Sequence, residues 1–213
     1  MNFMYEYEPK KPHNSEKYKP TYILIVINIA FYVFTSIVGG NFAETSSDMV
    51  LQWGQVNAFV FEGWYWQLFT SMFVHASIIH IGGNLLFLLI FGLRCEEMFS
   101  LPEYLAIYLL GGLAGNVLSL VMGPIFISVG ASGAIFALFG AAVIYDRRRL
   151  GQSIVGALIF AFFLLIFASG TNVNYLAHIG GLVAGLLIGY ILASRRKPET
   201  KYQVTYSYGR MPI

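Results

Sequence analysis

Long runs of apolar residues, separated by short polar or glycine-containing stretches, dominate the chain between residues 21 and 193. A helix rises about 1.5 Å per residue, so about 20 apolar residues cross the roughly 30 Å of hydrocarbon in a bilayer. Six runs approach this length, some of them short: residues 21–38, 78–93, 104–122, 132–145, 153–168 and 176–193. The pattern predicts an all-α polytopic membrane protein, a bundle of six transmembrane helices.

The segments outside these runs predict three parts of the chain. Residues 1–20 form a polar and aromatic arm without an early apolar segment and cleavage site, so we expect a retained arm rather than a signal peptide. The connection 39–77 is the longest and rich in Trp and Phe, which favours a loop resting in the bilayer interface. The membrane domain then covers residues 21–193, and a polar tail of unassigned function covers residues 194–213.

Composition and charge fit this interpretation. Hydrophobic residues make up 57% of the chain and charged residues 11%, against roughly 25% charged residues in a soluble domain. All thirteen Lys and Arg residues lie in the amino-terminal arm or after the second, fourth and sixth runs. The positive-inside rule therefore predicts a multi-pass cell-membrane protein with both termini in the cytoplasm. The basic residues are interpreted as topology anchors rather than as a nucleic-acid surface.

A few reactive side chains lie within the apolar runs. Polar groups are costly in hydrocarbon and are usually kept there for a function. Counting at helical rise from the basic boundary of each run places Ser132, His178 and His80 at similar heights, about 22, 25 and 21 Å. Asn84 lies one turn below His80 on the same helix face. The four side chains are thus predicted near the outer face, and Ser plus His is the minimum set for a base-activated hydroxyl nucleophile.

Other hydrolytic chemistries do not fit the sequence. A His-Glu-x-x-His zinc site is absent, and the aspartates, Asp48 and Asp146, lie in the outer loop and beside the inner arginines, so they cannot share a proton. No acid is available in the outer half of the runs to orient His178. A Ser–His dyad remains, and we expect neither a metal nor a cofactor. Each residue alone also has a structural interpretation, since Ser and His occur as packing or hydrogen-bonded groups in membrane helices.

At these residues the chain resembles the rhomboid family of intramembrane serine proteases. Residues 130–133 (Gly-Ala-Ser-Gly) are similar to the family's Gly-x-Ser-Gly motif, and residues 177–185 to its Ala-His-x-x-Gly-x-x-x-Gly motif. Residues 75–84 are similar to its His-x-x-x-x-His-x-x-x-Asn segment. The resemblance covers about residues 66–190.

The resemblance implies specific roles. Ser132 would be the nucleophile and His178 its general base and later acid, while His80, Asn84 and the Ser132 N–H would form the oxyanion hole. Side chains and small residues expected to support the site are His75, Phe136, Gly130, Gly133, Gly181 and Gly185. Two positions depart from the family pattern. Gln67 stands where many members have Arg, which puts the anchoring of the long outer loop in doubt. Phe136 stands where some members have Tyr, so the ring is kept and the hydroxyl is lost.

The expected function is a cofactor-independent endopeptidase that acts in the lipid bilayer on transmembrane protein substrates and cuts them near the outer face. One alternative is a non-catalytic rhomboid-like protein that binds membrane proteins for quality control. Such a protein would be expected to lack the Ser or the His. A second alternative is a small transporter or channel, whose polar residues would line a path across the whole membrane rather than cluster near one face.

Overall fold

Long helices account for most of the computed structural model, which describes residues 19–150, 153, 155–157, 159 and 174–196. Within this part of the chain, four helices are long and apolar enough to span a membrane: Pro20–Gly39, Ile78–Met98, Leu101–Met122 and Tyr175–Ser194. A fifth long helix, Ser132–Leu150, carries Asp146, Arg147 and Arg148 near its end. The predicted all-α, multi-pass membrane class is confirmed. The number six stays a prediction, because most of run 153–168 lies outside the described residues, as do most of the arm and the tail.

The helices follow one another in a simple order. We label the first helix α1 (Pro20–Gly39), followed by α2 (Ser47–Trp53), α3 (Asn57–Phe61) and α4 (Gln67–Thr70) in the long connection. The long helices α5 (Ile78–Met98) and α6 (Leu101–Ser119) come next, and α6 ends in a 3₁₀ turn, Leu120–Met122. The last two are α7 (Ser132–Leu150) and α8 (Tyr175–Ser194).

The long connection is more ordered than the predicted interfacial loop. A two-residue strand, β1 (Gln55–Val56), pairs antiparallel with β2 (Ile127–Ser128) from the connection before α7. Gln55 lies opposite Ser128 and Val56 opposite Ile127. Strands this short show no alternating pattern, so the sequence did not predict them. Their pairing holds the long connection against the segment that leads into Ser132.

Small residues bring α7 and α8 together. A Cβ added at Gly181 would overlap the Gly133 carbonyl oxygen, and one at Gly185 would overlap the Ala137 carbonyl oxygen. A Cβ at Gly189 would lie 2.7 Å from the Ala141 Cα. This agrees with the general use of small residues where membrane helices approach closely. Side chains at the first turns of these two helices can therefore meet.

The opposite end of the bundle, where α5, α7 and α8 finish, holds a cluster of ion pairs that we call the basic end. The Arg94 guanidinium lies 2.5 Å from Glu97 and 3.0 Å from Asp146. Arg196 lies 2.6 Å from Glu103. These pairs connect the end of α5 to α7, and the residues after α8 to α6.

Candidate active site

Ser132 is the first residue of α7, and the segment before it is held by backbone contacts. Gly130 has a φ of 117°, a conformation that side chains disfavour, and its N–H donates to the Ser71 carbonyl at 2.9 Å. A Cβ at Gly130 would lie 2.9 Å from the His80 ring. Glycine is therefore needed here both for the turn and for the close approach of His80.

His178 lies in the first turns of α8 and faces Ser132. Ser132 Oγ and His178 Nε2 form a hydrogen bond. The Phe136 ring stacks on the imidazole with centroids 4.8 Å apart and an interplanar angle of 22°, the ring contact that Phe136 was expected to keep. His178 is buried, and its Nδ1 has no hydrogen-bond partner among the described residues. A neutral imidazole that carries its proton on Nδ1 can accept the Ser132 hydroxyl proton at Nε2.

His80 and Asn84 lie on α5 and line the same cavity. The Ala76 N–H donates to His80 Nδ1 at 3.3 Å, so a neutral His80 carries its proton on Nε2, on the ring edge that approaches Gly130. Asn84 Nδ2 donates to the His80 carbonyl at 2.9 Å, which uses one of its two amide hydrogens. Both side chains thus keep a donor for a ligand. The cavity has a volume of about 950 Å³, and Ser132 and His178 also line it.

His75 precedes α5 and is fully buried. Its ring centroid lies 5.3 Å from that of His80, and its Nδ1 donates to the Phe73 carbonyl at 3.2 Å. Burial, and secondarily the nearby His80, lowers the pKa of His75 to about 3. His75 is thus a neutral ring that packs beside His80, and its supporting role stays a prediction.

Gln67 stands where many family members have Arg, and its contacts show how the long connection is anchored. The side chain is fully buried; its Oε1 accepts from the Val56 N–H at 2.9 Å and its Nε2 donates to the Leu51 carbonyl at 2.7 Å. A neutral amide therefore ties α4 to the end of α2 and to β1. The long connection is anchored without an arginine.

The structure adds cavity residues that the sequence interpretation missed. Asn174 precedes α8 and lines the cavity, as do Ser128 of β2 and Asn116 of α6. An Asn directly before an apolar helical run is a recognised N-cap signal, so Asn174 could have been found from sequence. Ser128 and Asn116 lie in turn-like or apolar surroundings and carry no such signal. Among the described residues, no group of His, Cys, Asp and Glu is arranged to hold a metal ion.

Comparison with known proteins agrees with the motifs. The family model of the rhomboid domain matches residues 62–195. The chain belongs to the rhomboid family. Rhomboid protease GluP of Bacillus subtilis is 32% identical over 171 residues, which cover 78% of this chain and 33% of that protein. The putative rhomboid protease YdcA of the same organism is 29% identical over 192 residues, 85% of this chain and 96% of that protein.

A plant relative is similar to this chain as well. RHOMBOID-like protein 6, mitochondrial, of Arabidopsis thaliana is 38% identical over 135 residues, 60% of this chain and 43% of that protein. Compared with GluP and with three of the RHOMBOID-like proteins of Arabidopsis thaliana, the chain spans between 33% and 46% of the relative's length. The similarity thus covers less than half of each of these longer relatives.

Proposed function

We propose that this rhomboid-family protein is an intramembrane serine endopeptidase that cleaves transmembrane segments of other membrane proteins near the outer face of the cell membrane. The observation that carries this proposal is the hydrogen bond between Ser132 Oγ and His178 Nε2 at the wall of a cavity that His80 and Asn84 also line. A hydroxyl beside an imidazole is the arrangement that general-base activation requires. The protease names of GluP and YdcA support the same reaction class.

The chemistry follows from the donors and acceptors of these side chains. His178 Nε2 takes the Ser132 hydroxyl proton while Oγ attacks the scissile carbonyl carbon. The His80 Nε2–H, the second Asn84 amide hydrogen and the Ser132 N–H stabilise the resulting oxyanion. Protonated His178 then gives its proton to the leaving amine, and the acyl-enzyme forms. A water molecule, deprotonated by His178, then attacks the ester carbonyl; the bond between Ser132 Oγ and the acyl group breaks, His178 returns the proton to Oγ, and the second product leaves as a carboxylic acid.

The cavity wall fits an apolar, extended substrate. Apolar side chains line most of it, among them Phe87, Phe91, Ile125, Phe126 and Ile127. A scissile carbonyl can reach Ser132 only where the substrate helix has unwound, because helical hydrogen bonds shield the backbone. Gly or Pro near the cut would assist unwinding, since both destabilise helix interiors. Substrates are therefore transmembrane proteins of the bilayer, with helix-destabilising residues near the cut.

The proposal includes the orientation and division of the chain. Both termini lie in the cytoplasm, with residues 1–20 as an arm, residues 21–193 as the membrane domain and residues 194–213 as a tail. The distribution of Lys and Arg supports this orientation. The site then opens towards the outside, where water is available for hydrolysis.

The test uses the full chain reconstituted in liposomes with a model transmembrane substrate. Wild-type protein should release two fragments and react with a serine-directed fluorophosphonate at Ser132. Ser132→Ala and His178→Ala should release none while folding and inserting normally. Cleavage retained by either purified variant would contradict the dyad. Substrate binding by wild-type protein without cleavage or labelling would favour the non-catalytic binding protein instead.

A further inference from the structure

Asn174 connects the two segments that carry Ser132 and His178. Its Oδ1 accepts from the Ala177 N–H at 2.9 Å, which caps the first turn of α8. Its Nδ2 donates to Ser128 Oγ of β2 at 2.8 Å. Its own carbonyl accepts from the His178 N–H at 3.3 Å. Asn174 is thus bonded to His178 through the backbone and to the strand that leads into Ser132.

This connection lies in a buried place beside the cavity. Asn174 is 8% exposed and Ser128 is 7% exposed, and both line the cavity with the dyad. Hydrogen bonds that are shielded from water hold their geometry better than exposed ones do. The link between β2 and the start of α8 is therefore suited to fixing a distance rather than only to satisfying polar groups.

The position of the His178 ring needs such support. In a Ser–His–Asp triad, the acid bonds to the second ring nitrogen and holds the imidazole in place. Here His178 Nδ1 has no hydrogen-bond partner in the described part of the chain. The Phe136 ring restrains the face of the imidazole, but a stacked ring does not fix where the helix that carries His178 begins.

We propose that Asn174 is a positioning residue for the dyad, one that sets the Ser132–His178 distance by joining β2 to the amino end of α8. This inference rests on the proposed function. Asn174 acts through the backbone of Ala177 and His178 and through Ser128, and it takes no part in bond making. In a Ser–His–Asp triad, the acid positions the histidine by a direct hydrogen bond. Asn174 would position His178 indirectly, through the backbone at the start of α8.

Four variants separate the two bonds. Asn174→Ala removes both, Ser128→Ala removes only the bridge to β2, and Asn174→Ser keeps a capping oxygen but is too short to reach Ser128. Asn174→Asp is the conservative variant, because its carboxylate can accept from both the Ala177 N–H and the Ser128 hydroxyl. Ser100→Ala is the matched control. Ser100 is the N-cap residue of α6 at the opposite end of the bundle, where its N–H and hydroxyl donate to Glu103.

The measurements are kcat and KM for a transmembrane substrate, the rate of fluorophosphonate labelling of Ser132, and the midpoint of thermal unfolding. Misplacement of reacting groups by about 1 Å can cost roughly 100-fold in rate. We expect Asn174→Ala to lower kcat and labelling at least about 10-fold, with KM within about twofold. Ser128→Ala and Asn174→Ser should be intermediate, and Asn174→Asp, compared at its own optimal pH, should recover most of the rate.

The outcomes distinguish this inference from the proposed function. Wild-type protein that neither cleaves nor labels overturns both. Active wild-type protein with an equally active Asn174→Ala overturns only the positioning role, as does a change confined to KM, which would indicate substrate contact. The role is also contradicted if Asn174→Asp is as slow as Asn174→Ala. The same holds if Ser100→Ala loses as much activity as Asn174→Ala at an equal loss of thermal stability.

Discussion

The two ends of the bundle treat their polar groups differently. At the basic end, Arg94 bonds to Glu97 and Asp146, and Arg196 bonds to Glu103 and to the Tyr145 hydroxyl. At the site end, several buried polar atoms have no hydrogen-bond partner among the described residues, including Asn84 Oδ1, His75 Nε2 and His178 Nδ1. Ion pairs therefore connect helices at the basic end, whereas several buried polar atoms at the site end make no hydrogen bond among the described residues.

This difference indicates where stability and function are located. A buried polar atom without a partner costs about 1–3 kcal/mol relative to a satisfied one. Proteins keep few such groups, and a cluster of them requires an explanation. His178 and Asn84 each carry such an atom, and we expect this cost to be kept for the proposed catalysis. Mutations of His178 or Asn84 should therefore change rates, and mutations at the basic end should change stability without changing rates.

The largest effect should come from removing the base. His178→Ala should lower the cleavage rate by roughly 1,000-fold or more, because the Ser132 hydroxyl then has no proton acceptor. The unfolding midpoint should also fall, because the variant loses the bond to Ser132 and the stacking on Phe136, so folding is checked separately from the rate. Residues that act as a unit are non-additive, so the Ser132→Ala/His178→Ala double variant should be no slower than either single variant. An additive loss, measured by single-turnover cleavage, would show that the two side chains do not act together.

The next effect concerns the oxyanion donor. Asn84→Ala should lower kcat by roughly 100-fold with little change in KM, as expected for a lost donor to a developing charge. Asn28 offers a matched control on α1. It is buried and donates its Nδ2 to the Leu24 carbonyl one turn earlier at 2.8 Å, as Asn84 does to the His80 carbonyl. Asn28→Ala should cost similar stability and leave kcat unchanged. Equal losses of kcat in both variants would remove Asn84 from the proposed mechanism.

The sequence predicted the long helices well and the outer connections poorly. The predicted runs 21–38 and 176–193 match α1 and α8 within about two residues at each end. Their uninterrupted apolar composition leaves no other structure in a bilayer. The connection 39–77 instead folds into three short helices and β1, whose positions depend on bonds to distant residues, such as those of Gln55 to Asn116 and Ser119. Such contacts leave no local pattern in a sequence.

The sequence also brought together the side chains of the site. Helical rise placed Ser132, His178 and His80 at one height, and the structure joins the first two by a hydrogen bond and sets the His80 ring against Gly130. Their catalytic roles stay a proposal. Counting along helices could not reveal which atoms lack partners, nor the bridge from Asn174 to Ser128, because both depend on side-chain orientation across three segments.

A smaller, pH-dependent effect should appear in stability. The pKa of His75 is lowered from 6.5 to about 3, so between these pH values the unfolded chain binds a proton that the folded chain does not. The free energy of unfolding should therefore fall as the pH falls through this window, by up to about 1.4 kcal/mol per pH unit. His75→Gln removes this contribution. Its unfolding free energy in detergent should depend less steeply on pH below 6.5, and parallel curves for the two proteins would contradict the assignment.

The smallest effect should arise at the basic end. Arg196→Gln breaks the 2.6 Å pair with Glu103 and the bond to Tyr145, but the two side chains of the pair are about one-quarter exposed. Partly exposed pairs contribute at most about 1 kcal/mol, so we expect a loss of that size in unfolding free energy and an unchanged kcat. Arg195→Gln removes one positive charge from the exposed neighbouring residue. It therefore controls for any effect of that charge on the orientation of the chain in the membrane. If Arg196→Gln lowered kcat while Arg195→Gln did not, the two ends would be coupled, and stability and catalysis could not be assigned to separate regions of the bundle.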